Sequence, residues 1–485
     1  KYKNLMLEVE KLVVDKYDGS LKAEHGTGRN MAPFVKTEWG EKAFDVMRKV
    51  KNLFDPHNLL NPGVIFNDDP ECFVKNVKPL PLTNPLVDRC IECGFCEVNC
   101  LTCGFTVSSR QRIVIQREIS RLKISGEDPA RLANLEKDFK YLGNQTCAGD
   151  GLCSTSCPMK INVGALIHEI RQAALPKGSL GYNTGDFVAN NFSTVKACLR
   201  PVLGAASVAH SVLGDKSVDA VGKTLNKVGI PLWTSSMPRA YYPHKMDLGQ
   251  SDKKVVYFPS CINQTMGAAK GEKVSLVDKT VELVKKAGYE VIFPANIKNL
   301  CCGTIWESKG MPEIADRKSL ELEAALVEAS KNGKYPIMCD QSPCLHRMRN
   351  VMPNLKLYEP VEFIYEYLVP HLQFNKIDET IAIHITCSSR HMGLQKMFQT
   401  LASMCVTKVL IPEEVGCCGF AGDKGFTKPE VNKWALRKLR PQIEKAGIKR
   451  GFSNSRTCEI GLSVNAGIPY KSIVYLVDEC TKPKK

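Results

Sequence analysis

The run Cys90-Ile-Glu-Cys93-Gly-Phe-Cys96-Glu-Val-Asn-Cys100 is an unaltered C-x2-C-x2-C-x3-C pattern. Thiols this closely spaced make one tight loop wrap around an inorganic core, because each Cβ reaches a different iron of a cubane. Gly94 lets that loop pass close to inorganic sulfide and offer it backbone N–H groups. A second run, Cys147-Ala-Gly-Asp150-Gly-Leu-Cys153-Ser-Thr-Ser-Cys157-Pro158, keeps the spacing but carries Asp150 where a second Cys would stand. Two sets in register point to iron–sulfur binding rather than to a zinc ribbon or idle thiols. A carboxylate is a harder ligand than a thiolate, so the second site is expected to be the electronically atypical one.

The cysteine count of 21 is odd, so disulfides cannot pair every thiol. A long chain without an export pattern, with its thiols clustered at short spacings, suits metal or redox use in a reducing compartment. The expected location is therefore the cytoplasm. Lys and Arg number 66 against 51 Asp and Glu, a net charge of +15. No zinc-finger spacing or aromatic-interleaved basic stretch accompanies that charge, so nucleic acid is not an expected partner and most of the charge reads as a solvated surface. Peripheral association with the cytoplasmic face of an anionic membrane is the other use considered. No apolar run approaches the ~18 residues of a membrane span. The longest candidate, Pro201 to Gly214, is broken by Gly204, Ser207 and His210.

Further along, the chain repeats itself. Val255 to Phe258 reads as a strand followed by Cys261, and Ile381 to Thr386 as a strand followed by Cys387. Each half then carries Cys-Cys-Gly, at Cys301-Cys302-Gly303 and Cys417-Cys418-Gly419, a Lys-Gly pair at 309–310 and 424–425, and a lone Cys, Cys344 or Cys458. Val274, Val277, Val281 and Val284 mark an amphipathic helix between two strands, so each half is expected to be a small α/β unit with thiols on loops at strand ends.

The first Cys block resembles bacterial two-cluster ferredoxin domains. That resemblance implies that cluster one takes Cys90, Cys93, Cys96 and Cys157, while cluster two takes Cys100, Cys147 and Cys153. The remaining corner of cluster two is left to Asp150, to an extra thiol such as Cys103, or to nothing, as in a three-iron cluster. The repeated units resemble the cysteine-rich domains of heterodisulfide reductases and of glycolate- and lactate-oxidising iron–sulfur subunits. The family's closing C-x2-C has lost its first Cys here, to Gln341 in one unit and Ser455 in the other, with Cys339 nearby. The resemblance groups Cys261, Cys301, Cys302 and Cys344 as one site and Cys387, Cys417, Cys418 and Cys458 as another. Whether these bind a cluster or another metal, or cycle thiols, stays open.

Near the amino terminus, Glu24-His25-Gly26-Thr27-Gly28-Arg29 precedes a helix over 38–54 and then Asp55-Pro56-His57-Asn58-Leu59-Leu60-Asn61-Pro62-Gly63. This pair of motifs resembles the carboxy-terminal end of FAD-linked oxidases of the D-2-hydroxy-acid dehydrogenase type. The resemblance implies a divalent metal at Glu24, His25 as the catalytic base, Arg29 toward an anionic substrate and Asn61 near the flavin. It also implies that the FAD-binding part lies outside these residues, in a longer chain or another subunit.

The expected architecture is multidomain α+β and α/β. Its parts are a partial FAD-linked oxidase carboxy-terminal region (1–66), a linker (67–88), an α-helical two-cluster 4Fe-4S ferredoxin-type domain (89–175), a helical connector (176–250), and two cysteine-rich domains (251–372 and 378–482). The expected function is electron relay in a flavin- and iron–sulfur-dependent D-lactate or D-2-hydroxyglutarate dehydrogenase. Electrons would pass from a small 2-hydroxy acid through the clusters to a quinone or cytochrome. The alternatives are a non-catalytic iron–sulfur subunit docking on a separate flavoprotein, and a heterodisulfide-reductase-like enzyme.

Overall fold

The computed structural model describes residues 1–22, 25–75, 77, 80–226, 231–234 and 236–484. It divides into two compact units, Lys1–Leu80 and Pro81–Lys485. The division falls within the proline-bearing stretch read as a linker, and both ends of that stretch are folded. Phe73 is buried in the first unit, its ring 5.0 Å from that of Phe34. Val87 is buried in the small core of the second.

The first unit is built on the helices Tyr2–Lys11 and Val35–Phe54, the latter broken at Gly40, whose φ is 76°. The second helix stops at Asp55, as a residue preceding proline favours. The Asp55 carboxylate then staples the following turn, accepting from the backbone N–H groups of Leu59 and Leu60 at 2.8 Å each and from Lys51. The Lys51 ammonium holds its pKa down to about 2.

The second unit opens with the helices Ser109–Ser125, Pro129–Phe139 and Val163–Ala173. Ser108 and Gln111 form a reciprocal capping box at the start of the first of these. Ile113, Val163 and Leu166 pack behind the cysteine loops. The connector follows as the helices Leu180–Asn190, Phe192–Leu213 and Asp215–Asn226. No helix among the described residues is long and apolar enough to cross a membrane.

Among the described residues, ten strands come next: β1 (Lys254–Phe258), β2 (Glu290–Ile292), β3 (Ile337–Cys339), β4 (Leu357–Tyr358), β5 (Leu372–Phe374), β6 (Ile377–Ile383), β7 (Val406–Leu410), β8 (Gly451–Ser453), β9 (Tyr470–Ser472) and β10 (Thr481–Pro483). The duplication is visible in their order. One parallel sheet runs β2-β1-β3-β4 and the other β7-β6-β8-β9, the same crossover pattern twice. The helices Leu276–Lys286 and Ile473–Cys480 join both sheets in one apolar core.

The seam between the sheets is polar. Glu359 is fully buried there, accepting from Val361 N–H at 2.6 Å and from Asn454 Nδ2 at 2.7 Å. Burial raises its pKa from 4.5 to about 8. Between those values the unfolded chain releases a proton that the folded chain keeps, so stability falls as pH rises through that window and is flat above it. Glu359→Gln is expected to remove this slope, which urea-unfolding midpoints compared at pH 5 and pH 8 would reveal.

Candidate metal centres

The first cysteine loop closes on itself through two left-handed residues, Glu92 (φ 59°) and Gly94 (φ 88°). It is pinned from behind by Arg117, which donates to Glu92 Oε1 at 2.7 Å, Cys90 O at 2.9 Å and Asp88 O at 3.1 Å. The Glu92 N–H points at Cys90 Sγ, 3.4 Å away. Cys90, Cys93 and Cys96 line a cavity with about 370 Å³ of empty space, partly open to solvent, and Cys157 of the second run completes the ring. Burial raises the Cys90 and Cys96 thiols above their ordinary pKa.

The second cavity holds about 330 Å³ and is lined by Cys147, Cys153, Asp150 and, from the first run, Cys100. Gly149 N–H lies 3.4 Å from Cys147 Sγ, repeating the Glu92 contact. Burial pushes the Cys153 thiol up to about 12. Arg112, also buried, braces the ring: it donates to Gly143 O at 2.7 Å, to Thr102 Oγ1 at 3.1 Å, to Thr146 Oγ1 at 3.2 Å and toward Cys100 Sγ at 3.6 Å. Asp150 is half-buried, and the burial of its carboxyl raises its pKa. Its Oδ1 accepts from Leu152 N–H at 3.1 Å and its Oδ2 has no hydrogen-bond partner. Cys103 stands exposed outside the ring.

Among the described residues, no three His, Cys, Asp or Glu side chains converge as they would on one metal ion. Each set of four donors instead rims a space. That arrangement, with N–H groups aimed at sulfur, fits a cluster better than a zinc ion.

In each cysteine-rich unit the thiols gather at the carboxyl ends of the parallel strands. Cys261 follows β1 and Cys344 follows β3; Cys387 and Cys458 take the same places after β6 and β8. The glycine of each Cys-Cys-Gly sits at positive φ against a neighbouring helix. A Cβ on Gly303 would lie 2.3 Å from Ala315 O, and one on Gly419 2.9 Å from Ala435 Cβ. Cys261, Cys301, Cys302 and Cys344 touch in sequence. Cys387, Cys417, Cys418 and Cys458 do likewise, the last pair 3.1 Å apart. The neighbouring thiols lower the pKa of Cys261 and Cys302, whereas Cys387, Cys417 and Cys418 are raised.

The two positions that lack the family's Cys meet each other across the seam. Gln341 Nε2 donates to Ser455 Oγ at 2.8 Å, and Gln341 Oε1 accepts from Arg456 N–H at 2.9 Å. Cys339 is buried at the end of β3, 3.9 Å from Gln341 O. Sequence reasoning missed Arg112 and Arg117 altogether, and also Lys196, which is buried with its Nζ donating to Gln264 Oε1 at 2.8 Å. It noted the Lys-Gly repeat without its purpose: Lys424 Nζ reaches across to Gln145 O at 2.9 Å and to Cys147 O.

Glu24 lies outside the described residues. His25, Arg29 and Asn61 are exposed, so the described residues do not enclose a flavin ring.

Residues 1–65 match the C-terminal domain of FAD linked oxidases, residues 86–161 the 4Fe-4S dicluster domain, and residues 255–349 and 381–463 the cysteine-rich domain. One chain thus carries an FAD-linked oxidase end, a dicluster domain and two cysteine-rich domains. The matches support FAD and iron–sulfur clusters as its cofactors. The chain is similar to a D-2-hydroxyglutarate dehydrogenase of Pantoea ananatis, 23% identical over 91% of this chain and 49% of that one. It therefore spans about half of that relative. Lactate utilization protein A of Oceanobacillus iheyensis is 24% identical over 40% of this chain and 81% of its own. A D-2-hydroxyglutarate dehydrogenase of Escherichia coli is 52% identical over 10% of this chain and 5% of its own.

Proposed function

We propose that the chain is the electron-relay portion of a flavin- and iron–sulfur-dependent D-2-hydroxy-acid dehydrogenase, converting D-lactate or D-2-hydroxyglutarate to the 2-oxo acid. The observation that carries this reading is the pair of adjacent cavities, each rimmed by donors drawn from both cysteine runs. Cys90, Cys93, Cys96 and Cys157 would hold one cluster, and Cys100, Cys147, Cys153 and Asp150 the other. Clusters bound there supply one-electron transfer. The protein's own part is to aim N–H groups at the sulfurs and place the Arg112 guanidinium beside Cys100, both of which tune a potential.

The two Cys-Cys-Gly sites would carry electrons onward, as metal centres or as thiols, to a quinone or cytochrome. Glu24, His25, Arg29 and Asn61 belong in this reading to a flavin site completed by residues beyond those present. The first unit supports that completion, because Leu53 and Phe54 next to the Asp55 turn are 77% and 79% exposed. Apolar side chains grouped so openly mark a face that another surface covers.

Purification without oxygen, with iron and sulfide analysis and EPR of both the oxidised and the reduced protein, tests the proposal. The expected result is two distinct cluster signals and about eight irons per chain from these two rings, or about seven with a three-iron second cluster, any iron at the Cys-Cys-Gly sites adding to that count. A folded, colourless, iron-free preparation would overturn it.

A further inference from the structure

We propose that fixed charge around the two rings sets the direction of electron flow. The second ring (Cys100, Cys147, Cys153) has the higher midpoint potential and takes one electron from the first (Cys90, Cys93, Cys96, Cys157). The inference rests on the cluster reading above and adds to it an order of potentials and the residues that impose it.

The rings are alike in most of what tunes a cluster. Each has four donors, Asp150 standing at the second where a fourth thiol stands at the first. Each aims one loop N–H at a ligand sulfur over 3.4 Å, from Glu92 to Cys90 and from Gly149 to Cys147. The first cavity holds about 370 Å³ and the second about 330 Å³. Cluster potentials respond to hydrogen bonds on sulfur, to solvent exposure and to net charge. Charge is where the two rings part.

At the first ring the cations are neutralised. Arg117 and Glu92 pair at 2.7 Å, both side chains buried. Arg110, on the cavity wall, pairs with Glu97 at 3.2 Å. Arg89 and Lys160 flank the ligands in sequence but stand exposed, where water and salt screen them.

The second ring has two buried guanidiniums whose partners are neutral. Arg112 donates to Gly143 O, to the Thr102 and Thr146 hydroxyls and toward Cys100 Sγ, 3.6 Å away. Arg171 donates to Asn144 Oδ1 at 2.9 Å, Asn144 O at 3.0 Å, Ser308 O at 2.8 Å and Cys147 O at 3.0 Å. Among the described residues neither arginine bonds to a carboxylate. Asp423 lies within the field of Arg171 but is itself paired with Lys309. Guanidiniums stay protonated, so both charges face the ring uncompensated. Lys424 also donates to Cys147 O, but burial lowers its pKa to about 7, and the arginines carry the excess charge. A reduced cluster is more negative than an oxidised one, so a nearby cation favours reduction and raises the potential. Burial opposes this by penalising the added charge, yet the same water-poor surroundings strengthen the pull of the guanidiniums. The electron thus arrives at the ring tied to both cysteine-rich units, through Ser308 of one and Lys424 of the other. One electron moves, the first cluster is oxidised and the second reduced, and no bond forms or breaks; the hydroxy acid, through flavin, is the reductant.

The test is an EPR-monitored redox titration of the full chain, purified without oxygen, as wild type, R171M, R171K and E92Q. Signals are assigned by the changes that abolish them, Cys90→Ala for the first ring and Cys153→Ala for the second. In wild type the second ring is expected to be reduced at the higher potential. R171M is expected to move that midpoint down and leave the first ring's in place. R171K keeps the charge and is expected to hold the midpoint closer to wild type. E92Q frees Arg117 of its counter-charge at nearly constant shape and is expected to raise the first ring's midpoint alone. Reduction of the first ring ahead of the second in wild type, an unmoved midpoint in R171M, or equal shifts in R171M and R171K would overturn the proposal. If R171M does not load the second ring, E92Q decides, and an unmoved first ring overturns it. A wild-type chain that loads no clusters sinks the functional reading and this inference together. Two loaded clusters in the reverse order sink the inference alone.

Discussion

Replacing Arg112 with methionine is expected to cost the chain about 3 kcal/mol or more and to empty the second ring before the first. The guanidinium is fully buried, and its donors are spread over Gly143 O, Thr102, Thr146 and Cys100 Sγ. Those partners come from the end of the first cysteine run and from the turn leading into the second. One side chain therefore fixes the spacing between loops that must share a cavity. Methionine approximates the volume and supplies no donor, so a buried carbonyl and two buried hydroxyls lose a partner that water cannot reach to replace. Each such loss costs about 1–3 kcal/mol. The result would be read as a lower urea midpoint together with an iron content reduced by about half, the surviving EPR signal being that of the Cys90 ring. Lysine at this position restores the charge but not the fork of donors, and should recover little. Wild-type stability and full iron in R112M would show that the two loops hold their spacing unaided.

How far such a site can be read from sequence depends on whether its partners are near in the chain. The Cys90 and Cys147 loops are local structures. Their spacing sets their shape, and the resemblance to two-cluster ferredoxin domains implies that Cys157 and Cys100 are exchanged between them. The doubled α/β order was likewise legible, because strand, thiol, Cys-Cys-Gly and lone Cys recur in the same sequence in both halves. What was not legible is everything set by docking. Nothing near Gln341 or Ser455 announces that the two hydrogen-bond to each other; in sequence they are only absent cysteines. Lys196 lies on a helix that reads as a plain connector, and only tertiary packing brings it to Cys261 and Cys301. Lys424 was visible as half of a repeat, but its acceptors belong to another domain. In the first unit, the helix read from 38 onward begins at Val35 and breaks at Gly40. Its amphipathic period had concealed a break that one glycine at positive φ produces. Asp55, singled out as part of a motif, staples the turn through Leu59 and Leu60 N–H groups.

The exchange of cysteines between loops makes a prediction that a simple one-loop, one-site arrangement contradicts. Cys157 belongs to the second run by sequence, yet it lines the cavity of Cys90, Cys93 and Cys96. Cys100 closes the first run and lines the cavity of Cys147 and Cys153. Cys157→Ala and Cys90→Ala should therefore erase the same EPR signal, while Cys100→Ala and Cys153→Ala erase the other. Each change should lower iron by about half, because a cluster deprived of one of its thiolates gives up its metal to chelators while its neighbour keeps an intact set. The physical reason for the exchange is reach. Three thiols on a tight loop cover three corners of a cubane, and the fourth corner faces away from that loop, toward the start of the next segment. Pro158, directly after Cys157, favours extended backbone at that cysteine and so turns the chain away once the thiol has been delivered. If Cys157→Ala instead removed the Cys153 signal, the two runs would each serve their own cluster, and the cavities would need a different set of occupants.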